Sequence, residues 1–435
     1  MNIKMNAKIF ATLLTAVLAG FVASANAQLT IDVTTSAGRQ IPIAVVEFRG
    51  EAQAPQNLTP IIINNLARTG LFRLVTTGAI SQLPTEPSEV NYVDWSTRLA
   101  EALLIGGITL QPDGKFEIRY RLFDVAKQNQ IASGQIIASA TQFRATAHRI
   151  ADEIYEKLTG ERGVFSTKMA YVLKRGQRFE LQVADADGFN PQTVLASPEP
   201  IGSPKWSPDG SKLAYVTFES RKSNVVVQDL ITGQRRVVAN FRGDNYAPSW
   251  SPNGDELLVA LSRDAVSQIY AIPAAGGEAR RLTESNSIDS GPTYTPDGKT
   301  IVFFSDRSGG PQLYSIPASG GAVKRLTFEG NYNTTPRISP DGKLAAFVSR
   351  EEGKLRIATI ELATGLINVL TDGPRDDSPS FSPNGRTILF ESKVAGRGSL
   401  GSVSVDGRIK QRLTSQNGDV REPAWGPYAR PAVGH

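Results

Sequence analysis

The hydrophobic pattern divides this 435-residue chain into two parts. In the second part, short apolar runs alternate with turns rich in Gly, Pro, Asn and Asp, a pattern typical of β-strands joined by tight turns. One seven-residue motif recurs there, first as Pro204-Lys205-Trp206-Ser207-Pro208-Asp209-Gly210. Its leading prolines, 43 or 44 residues apart, are Pro204, Pro248, Pro292, Pro336, Pro379 and Pro423. A period of about 40–45 residues predicts the blades of a β-propeller.

Each repeat contains four strand-like segments, and the second of them occurs six times, from Met169–Leu173 to Thr387–Glu391. The first repeat has no strand before its copy, whereas Val420–Trp425 at the end of the chain has no repeat after it. We therefore predict a closed six-bladed propeller over residues 163–428 in which the C-terminal strand completes the N-terminal blade, because closure removes exposed sheet edges. The Pro-x-aromatic strand is expected innermost, since proline cannot donate into a ladder. Residues 429–435 form a tail.

Residues 28–162 mix the two periodicities and predict a small α/β domain, so the expected fold class is α/β followed by all-β. A flexible, β-prone arm, residues 28–40, comes first. Thr59 and Pro60 carry the signal for the start of a helix that ends at Gly70. The other predicted elements are strands Ile41–Phe48, Ala102–Gln111, Lys115–Val125 and Ile131–Ala138, and a helix from Thr141 to Leu158.

The first 27 residues have the pattern of an export signal. Lys4 and Lys8 precede an uncharged, mostly apolar stretch, and Ala25-Asn26-Ala27 is a typical cleavage site. A membrane anchor is the alternative, but a span needs about 20 apolar residues and this stretch is shorter. We expect cleavage after Ala27, a mature chain that does not span a membrane, and export to the periplasm.

Composition removes several classes of function. The chain has no cysteine, which excludes a lipid-modified cysteine, a disulfide and a thiolate metal site. Its formal net charge is +5, and part of that lies in the signal, so the mature chain lacks the concentrated basic footprint of a nucleic-acid-binding protein. We expect no cofactor, because the Gly-Gly pairs fall on blade turns rather than in a phosphate-binding loop.

Enzymatic activity is not predicted. Similar blades precede the hydrolase domain of serine peptidases, but the G-x-S-x-G motif that such an enzyme needs is absent. The two histidines are His148, expected on the surface or half-buried on a helix, and His435 in the tail. Asp244 and Asp376-Asp377 are candidate acid–base pairs only by type. Asp185 to Asn190 faintly resembles a calcium loop but is better interpreted as a hairpin turn.

Binding of another macromolecule is therefore the favoured function. The loops before the innermost strands are predicted to open at one mouth of the channel, together with the loops after the second strands. The latter carry basic residues, among them Arg263 and Arg307. A basic rim would steer an acidic partner, whereas the alternative is that these charges only solvate the loops.

The whole chain resembles the TolB family, the periplasmic propeller components of the Tol–Pal envelope system. The resemblance rests on the export signal, on Ile41-Pro42-Ile43-Ala44-Val45-Val46, on Glu156-Lys157-Leu158-Thr159-Gly160 and on the six Trp-Ser-Pro-Asp-Gly-type blades. The run from Trp206 to Ser220 is especially similar. The resemblance implies a non-enzymatic adaptor, a monomer within a Tol–Pal complex, that serves outer-membrane integrity and envelope invagination during division.

The resemblance also implies two binding surfaces. The arm would bind TolA, and its candidate residues are Gln28, Leu29, Thr30, Ile31, Asp32 and Val33. The propeller mouth would bind the peptidoglycan-associated lipoprotein Pal, and its candidate residues are Asp244, Asn245, Tyr246, Ala247, Ser290 and Gly291. Asp244 stands where some relatives carry histidine. Other outer-membrane lipoproteins or porins are further candidate partners, and an exported carbohydrate-binding or polysaccharide-lyase propeller is the alternative function.

Overall fold

A computed structural model describes residues 30–35, 38–78, 80, 83–414 and 418–429. The predicted signal, Gln28, Leu29 and most of the tail lie outside these residues. The elements before the propeller are β1 (Thr30–Thr35), β2 (Ile41–Val45), α1 (Thr59–Arg68), β3 (Phe72–Val75), α2 (Tyr92–Thr97), β4 (Ala102–Leu110), β5 (Phe116–Asp124), β6 (Asn129–Ala138) and α3 (Phe143–Thr159). Three-residue 3-10 helices lie at Glu51–Gln53, Pro87–Glu89 and Ala140–Gln142.

The N-terminal domain is one sheet of order β3-β2-β4-β5-β6, with β2 parallel to both of its neighbours. The apolar faces of α1 and α3 bury their side chains in a common core with this sheet. The helix α3 ends at Gly160, whose φ of 78° is the left-handed conformation that favours glycine. The long strands and α3 confirm the predicted elements, whereas β3 and α2 were not predicted.

The propeller contains six sheets, one per blade, each a four-stranded antiparallel meander with a fifth strand added in blade 6. From the innermost strand outwards, blade 1 comprises Asp419–Trp425, Lys168–Arg175, Arg178–Asp185 and Gln192–Ser197, blade 2 comprises Ile201–Trp206, Lys212–Thr217, Asn224–Asp229 and Arg235–Ala239, and blade 3 comprises Asn245–Trp250, Glu256–Leu261, Gln268–Pro273 and Arg280–Arg281. Blade 4 comprises Asp289–Tyr294, Thr300–Ser305, Gln312–Pro317 and Lys324–Arg325, blade 5 comprises Asn333–Ile338, Leu344–Glu351, Lys354–Glu361 and Ile367–Val369, and blade 6 comprises Asp376–Phe381, Thr387–Val394, Arg397–Ser404 and Ile409–Thr414.

The ring closes as predicted. The C-terminal strand takes the innermost place of blade 1, antiparallel to Lys168–Arg175. Tryptophan side chains of the repeat motif join successive blades: the Trp250 indole donates to the Lys205 carbonyl, and the Trp206 indole donates to the Ala424 carbonyl, both at 3.0 Å. The second of these bonds crosses the junction between the chain's last strand and blade 2, so the closure uses the same contact as the repeats.

Every innermost strand carries a β-bulge just before or at the motif proline. The residue before the proline has a positive φ in all six blades; these residues are Ser203, Ala247, Gly291, Thr335, Ser378 and Glu422. Five of the six are not glycine, and a non-glycine residue in this region carries strain of about 1–3 kcal/mol. The repeat therefore maintains a bent backbone along the whole circumference of the channel.

Candidate functional site

Among the predicted mouth residues, one side chain is exposed and the others are half-buried or buried. Asp244 is exposed at the loop before the innermost strand of blade 3. Its backbone N–H donates to the Ser262 hydroxyl at 2.7 Å, which ties this loop to the loop after the second strand. The two sets of loops thus meet on one face, as predicted, and Asp244 offers its carboxylate to solvent there.

Asn245 lies directly below Asp244 and is fully buried. Its side-chain oxygen accepts from the Phe241 N–H at 2.8 Å, and its amide donates to the carbonyls of Phe241 and Gly243 at 2.9 and 3.1 Å. All of these bonds are to the backbone of its own loop. Asn245 therefore shapes the mouth and does not present its side chain to a partner.

The remaining mouth residues are the bulge positions and their neighbours. Tyr246 and Ala247 are half-buried, whereas Ser290 and Gly291 are buried. Gly291 has a φ of 62°, and a Cβ at this position would lie 3.1 Å from the Phe304 ring. Of these candidate residues, Asp244 is therefore exposed, Tyr246 and Ala247 are partly accessible and pack against apolar core clusters, and Ser290 and Gly291 are buried.

The basic rim is less open than the sequence indicated. The Arg307 guanidinium donates to both carboxylate oxygens of Asp289 at 2.9 Å, and Asp289 is fully buried. Arg263 packs over the Tyr270 ring at 4.5 Å and lies 3.5 Å from the Asp264 carboxylate. A hydrogen bond from the Tyr270 hydroxyl, with Arg263 nearby, lowers the pKa of Asp264. Arg307 is thus engaged in an ion pair with a buried carboxylate, and the Arg263 side chain is the more accessible of the two.

The arm lies on a different blade from the mouth residues. Its described part, β1, pairs antiparallel with the outermost strand of blade 6, from Thr30 opposite Thr414 to Thr35 opposite Ile409. It is the fifth strand of that sheet, at its edge. The arm is therefore held through main-chain pairing on one side only.

A cavity of about 360 Å³ lies beside the strand that holds the arm, between the two domains. Its walls include Phe165 and Trp425 together with Ile409, Gln411 and Leu413 of that strand. The Gln411 side chain donates to the Arg68 carbonyl, which connects the strand to the N-terminal domain. The outer edge of blade 6 is thus both the arm's docking strand and part of the domain junction.

Comparison with known proteins accounts for both domains. Residues 29–131 match the family model of the TolB amino-terminal domain, and residues 155–429 match that of the TolB beta propeller domain. Two proteins named Tol-Pal system protein TolB, from Methylobacillus flagellatus and Dechloromonas aromatica, are each 62% identical to the chain; each alignment covers 93% of the chain and 94% of the relative. The crystal structure of TolB from Acinetobacter baumannii superposes with a TM-score of 0.86 at 38% identity, over 92% of this chain and all of the other.

The chain belongs to the TolB family. It is a component of the Tol–Pal envelope system, and its small α/β domain followed by a six-bladed propeller is the architecture of the family. In the part of the chain that the structure describes, no helix is long and apolar enough to cross a membrane.

His148 corrects one prediction. It is buried at the junction between α3 and blade 1, with only 3% of its surface exposed, not at the surface or half-buried. Its Nδ1 accepts a hydrogen bond of 2.8 Å from the Asn65 amide, and its Nε2 lies 3.8 Å from the Asp187 carboxylate. Burial lowers the pKa of His148 to about 3, so the ring is neutral. The sequence carried no signal for this burial, because Asp187 belongs to the other domain.

Asp185 and Asp187 form the hairpin turn that the sequence predicted, closed by the Gly188 N–H donating to the Asp185 carbonyl at 2.7 Å. Together with His148 they have ligand atoms within 4.8 Å of one another. Cations of the protein already pair with them, however: Arg144 contacts both carboxylates, and the Lys168 ammonium lies 2.7 Å from Asp185. The cluster therefore fits an ion-pair network between the domains rather than a metal site.

Proposed function

We propose that this TolB-family chain is a non-enzymatic periplasmic adaptor that binds Pal through the propeller mouth and TolA through its N-terminal arm. The observation that carries the proposal is the spatial separation of the two surfaces. The mouth residues belong to blades 3 and 4, whereas β1 pairs with blade 6. One molecule with two separate surfaces can connect two partners of the envelope.

The mouth has the features of a recognition surface. Its exposed carboxylate, that of Asp244, stands on a loop whose shape is fixed by the buried side chain of Asn245. The half-buried Tyr246 adds an aromatic surface, and aromatic side chains are enriched at the centres of protein interfaces. Pal would contact Asp244, Tyr246 and Ala247, while Arg263 at the rim would raise the association rate of an acidic partner.

The arm has the features of a releasable recognition strand. A strand held only at a sheet edge exchanges one pairing partner for another without rearranging a core. While β1 is paired with blade 6, its main-chain groups on that side are occupied, so TolA competes with the propeller for the arm. Pal binding at the mouth would shift this competition through the blades, which is a coupling between two sites.

The experiment that tests this proposal deletes residues 28–38 from the mature protein and measures binding to purified TolA and Pal by calorimetry. We expect TolA binding to be lost and Pal binding to persist. The matched control deletes residues 431–435 at the other terminus and should bind both partners. TolA binding that is unchanged by the arm deletion would refute the role of the arm.

A pull-down from an envelope extract distinguishes the alternative function. Retention of a lipoprotein supports the adaptor, whereas retention of a polysaccharide would support a carbohydrate-binding or lyase propeller. The arm deletion and the pull-down test different surfaces, so one result does not determine the other.

A further inference from the structure

Two cations occupy equivalent positions on opposite sides of the propeller channel. Lys205 follows the motif proline of blade 2, and Arg337 follows that of blade 5. Their registers are equivalent, since Lys205 stands opposite Ala214 and Arg337 opposite Ala346 in the second strands. In a ring of six blades, the second and the fifth face each other across the axis.

The other four blades carry small residues at this position. They are Ser249, Thr293, Ser380 and Ala424. Of the six residues at this register, only Lys205 and Arg337 therefore have long side chains. Three of the four bear a hydroxyl group, and the Ser380 hydroxyl accepts from the Trp425 N–H at 2.9 Å.

Neither cation has a close carboxylate partner among the described residues. The Arg337 guanidinium donates to its neighbour's carbonyl, that of Pro336, at 2.7 Å, and its buried Nε has no hydrogen-bond partner in that part of the chain. No ion pair of Lys205 or Arg337 within 4 Å is found there either. Carboxylates thus act on the two charges only over distances longer than an ion pair.

The acids that attract these cations, Asp377 and Glu422, also accept backbone hydrogen bonds, as does the neighbouring Glu391. One Glu422 oxygen accepts from the Ser203 N–H at 2.5 Å, one Glu391 oxygen accepts from the Glu422 N–H at 3.1 Å, and one Asp377 oxygen accepts from the Ser378 N–H at 2.6 Å. All of these donors belong to bulge residues. Burial raises the pKa of both Asp377 and Glu391.

Burial lowers the pKa of both cations. Burial, followed by the repulsion of Arg337, lowers the pKa of Lys205 well below its usual value. Burial likewise lowers the pKa of Arg337 to about 10, against which Asp377 and Glu422 act. A buried charge that lacks a counterion is stabilised by a bound ion of the opposite sign.

We propose that the channel binds a small oxyanion, a carboxylate or a phosphate, between Lys205 and Arg337. The site goes beyond the mouth: Lys205 lies four residues into its strand, at most roughly 13 Å below the strand's start. This depth favours a free anion over a side chain of the docked partner, although both present the same chemistry. Arg337 offers a planar donor fork to two oxygens of the anion, and Lys205 offers a point charge from the opposite wall.

The test is a titration of the full mature protein with inorganic phosphate and, separately, acetate, by calorimetry and thermal melting at constant ionic strength set with chloride. We expect saturable binding and a rise in the melting temperature. Arg337→Met and Lys205→Met should each weaken the binding at least tenfold. Lys324→Met, which removes an exposed cation from the outermost strand of blade 4, is the matched control and should bind the anion as the native protein does.

A repeat of the titration on the Pal complex separates the two sources of the anion. Unchanged phosphate affinity supports a free anion, whereas competition between phosphate and Pal supports a carboxylate of the partner in the same place. Two results would overturn the proposal: phosphate and acetate both fail to bind saturably, or they bind equally well to the native protein and to both methionine variants. The two variants are independent, so a folding failure of one leaves the other as the test.

Discussion

The two terminal strands of the described chain join the propeller in opposite ways. The C-terminal strand, Asp419–Trp425, lies innermost in blade 1 and contacts both neighbouring blades: the Trp425 N–H donates to Ser380 of blade 6, and the Ala424 carbonyl accepts from Trp206 of blade 2. The N-terminal β1 pairs with one strand at the outer edge of blade 6. Both are antiparallel additions to a sheet, and they differ in the number of surfaces that hold them.

This difference indicates which strand can separate from the propeller without unfolding it. Val420 and Ala424 are almost fully buried, so removing the C-terminal strand would expose the apolar faces of two blades. An edge strand is paired on one side only, and segments at an edge open at low free energy. One terminus therefore closes the ring, and the other is the recognition element of the proposed function.

The largest expected effect comes from breaking the closure. Deletion of residues 419–435 should abolish the cooperative unfolding transition. Blade 1 would lose its innermost strand, and with that strand its hydrogen bonds to blade 6 and to blade 2. Thermal melting followed by near-ultraviolet circular dichroism measures this. Deletion of 431–435 alone, the control, should melt as the full chain does. A truncated protein that melts within a few degrees of the full chain would show that the closure contributes little.

The contact between α3 and blade 1 gives a second comparison, because charged side chains join the two domains there. Arg144 pairs with Asp187, packs 3.8 Å over the Phe189 ring and is mostly buried. Arg144→Ala should lower the free energy of unfolding by about 3 kcal/mol, because Asp187 loses a close partner while it stays largely buried. Arg263→Ala, at a more exposed stacked ion pair, should cost less than about 1 kcal/mol. Equal losses of unfolding free energy in the two variants would contradict the assignment of Arg144 and Asp187 as a buried ion pair between the domains.

A smaller effect is expected from pH at the same junction. The pKa of His148 is about 3 in the folded chain and 6.5 when unfolded, so the unfolded state binds the extra proton below pH 6.5. Lowering the pH from 7 to 5 should therefore destabilise the fold by about 2 kcal/mol. Asp187, whose pKa is lowered, loses its contribution only below its unfolded value of 3.8 and does not act in this window.

His148→Gln checks this dependence, because glutamine is of similar size and does not titrate. Chemical denaturation at pH 7, 6 and 5 should show a clear decline for the native chain and a smaller one for the variant. Parallel declines in the two proteins would show that His148 is not the group responsible.

The sequence predicted the propeller well because its signal is repeated: six copies of one motif specify the strand order, the turns and the closure. The innermost strands, the turn glycines and the orphan C-terminal strand are all found as predicted. The pairing of β1 with blade 6 was not predicted, since main-chain pairing at an edge leaves no side-chain pattern. The burial of His148 depends on contacts between distant segments, which one sequence does not reveal, whereas the opposition of Lys205 and Arg337 follows from their places in the repeat.

The sequence predicted where the mouth loops lie, but not which of their side chains are free to contact a partner. Asp244 is exposed as expected, but Asn245 and Arg307 are engaged within the protein, by their own loop and by Asp289. Loop residues in an isolated sequence look equally available. Which of them supports the loop and which meets solvent is decided by the backbone carbonyls and buried acids around them.

A disulfide that locks the arm to blade 6 tests the proposed release of the arm most directly. Asp32 and Arg412 face each other in the ladder, and the chain has no native cysteine, so Asp32→Cys with Arg412→Cys creates a single disulfide at a geometry that strand pairs allow. We predict that the oxidised protein binds TolA at least about tenfold more weakly than the same protein after reduction, while Pal binding persists in both. Equal TolA affinity in the oxidised and reduced forms would contradict the claim that release of the arm exposes the TolA site.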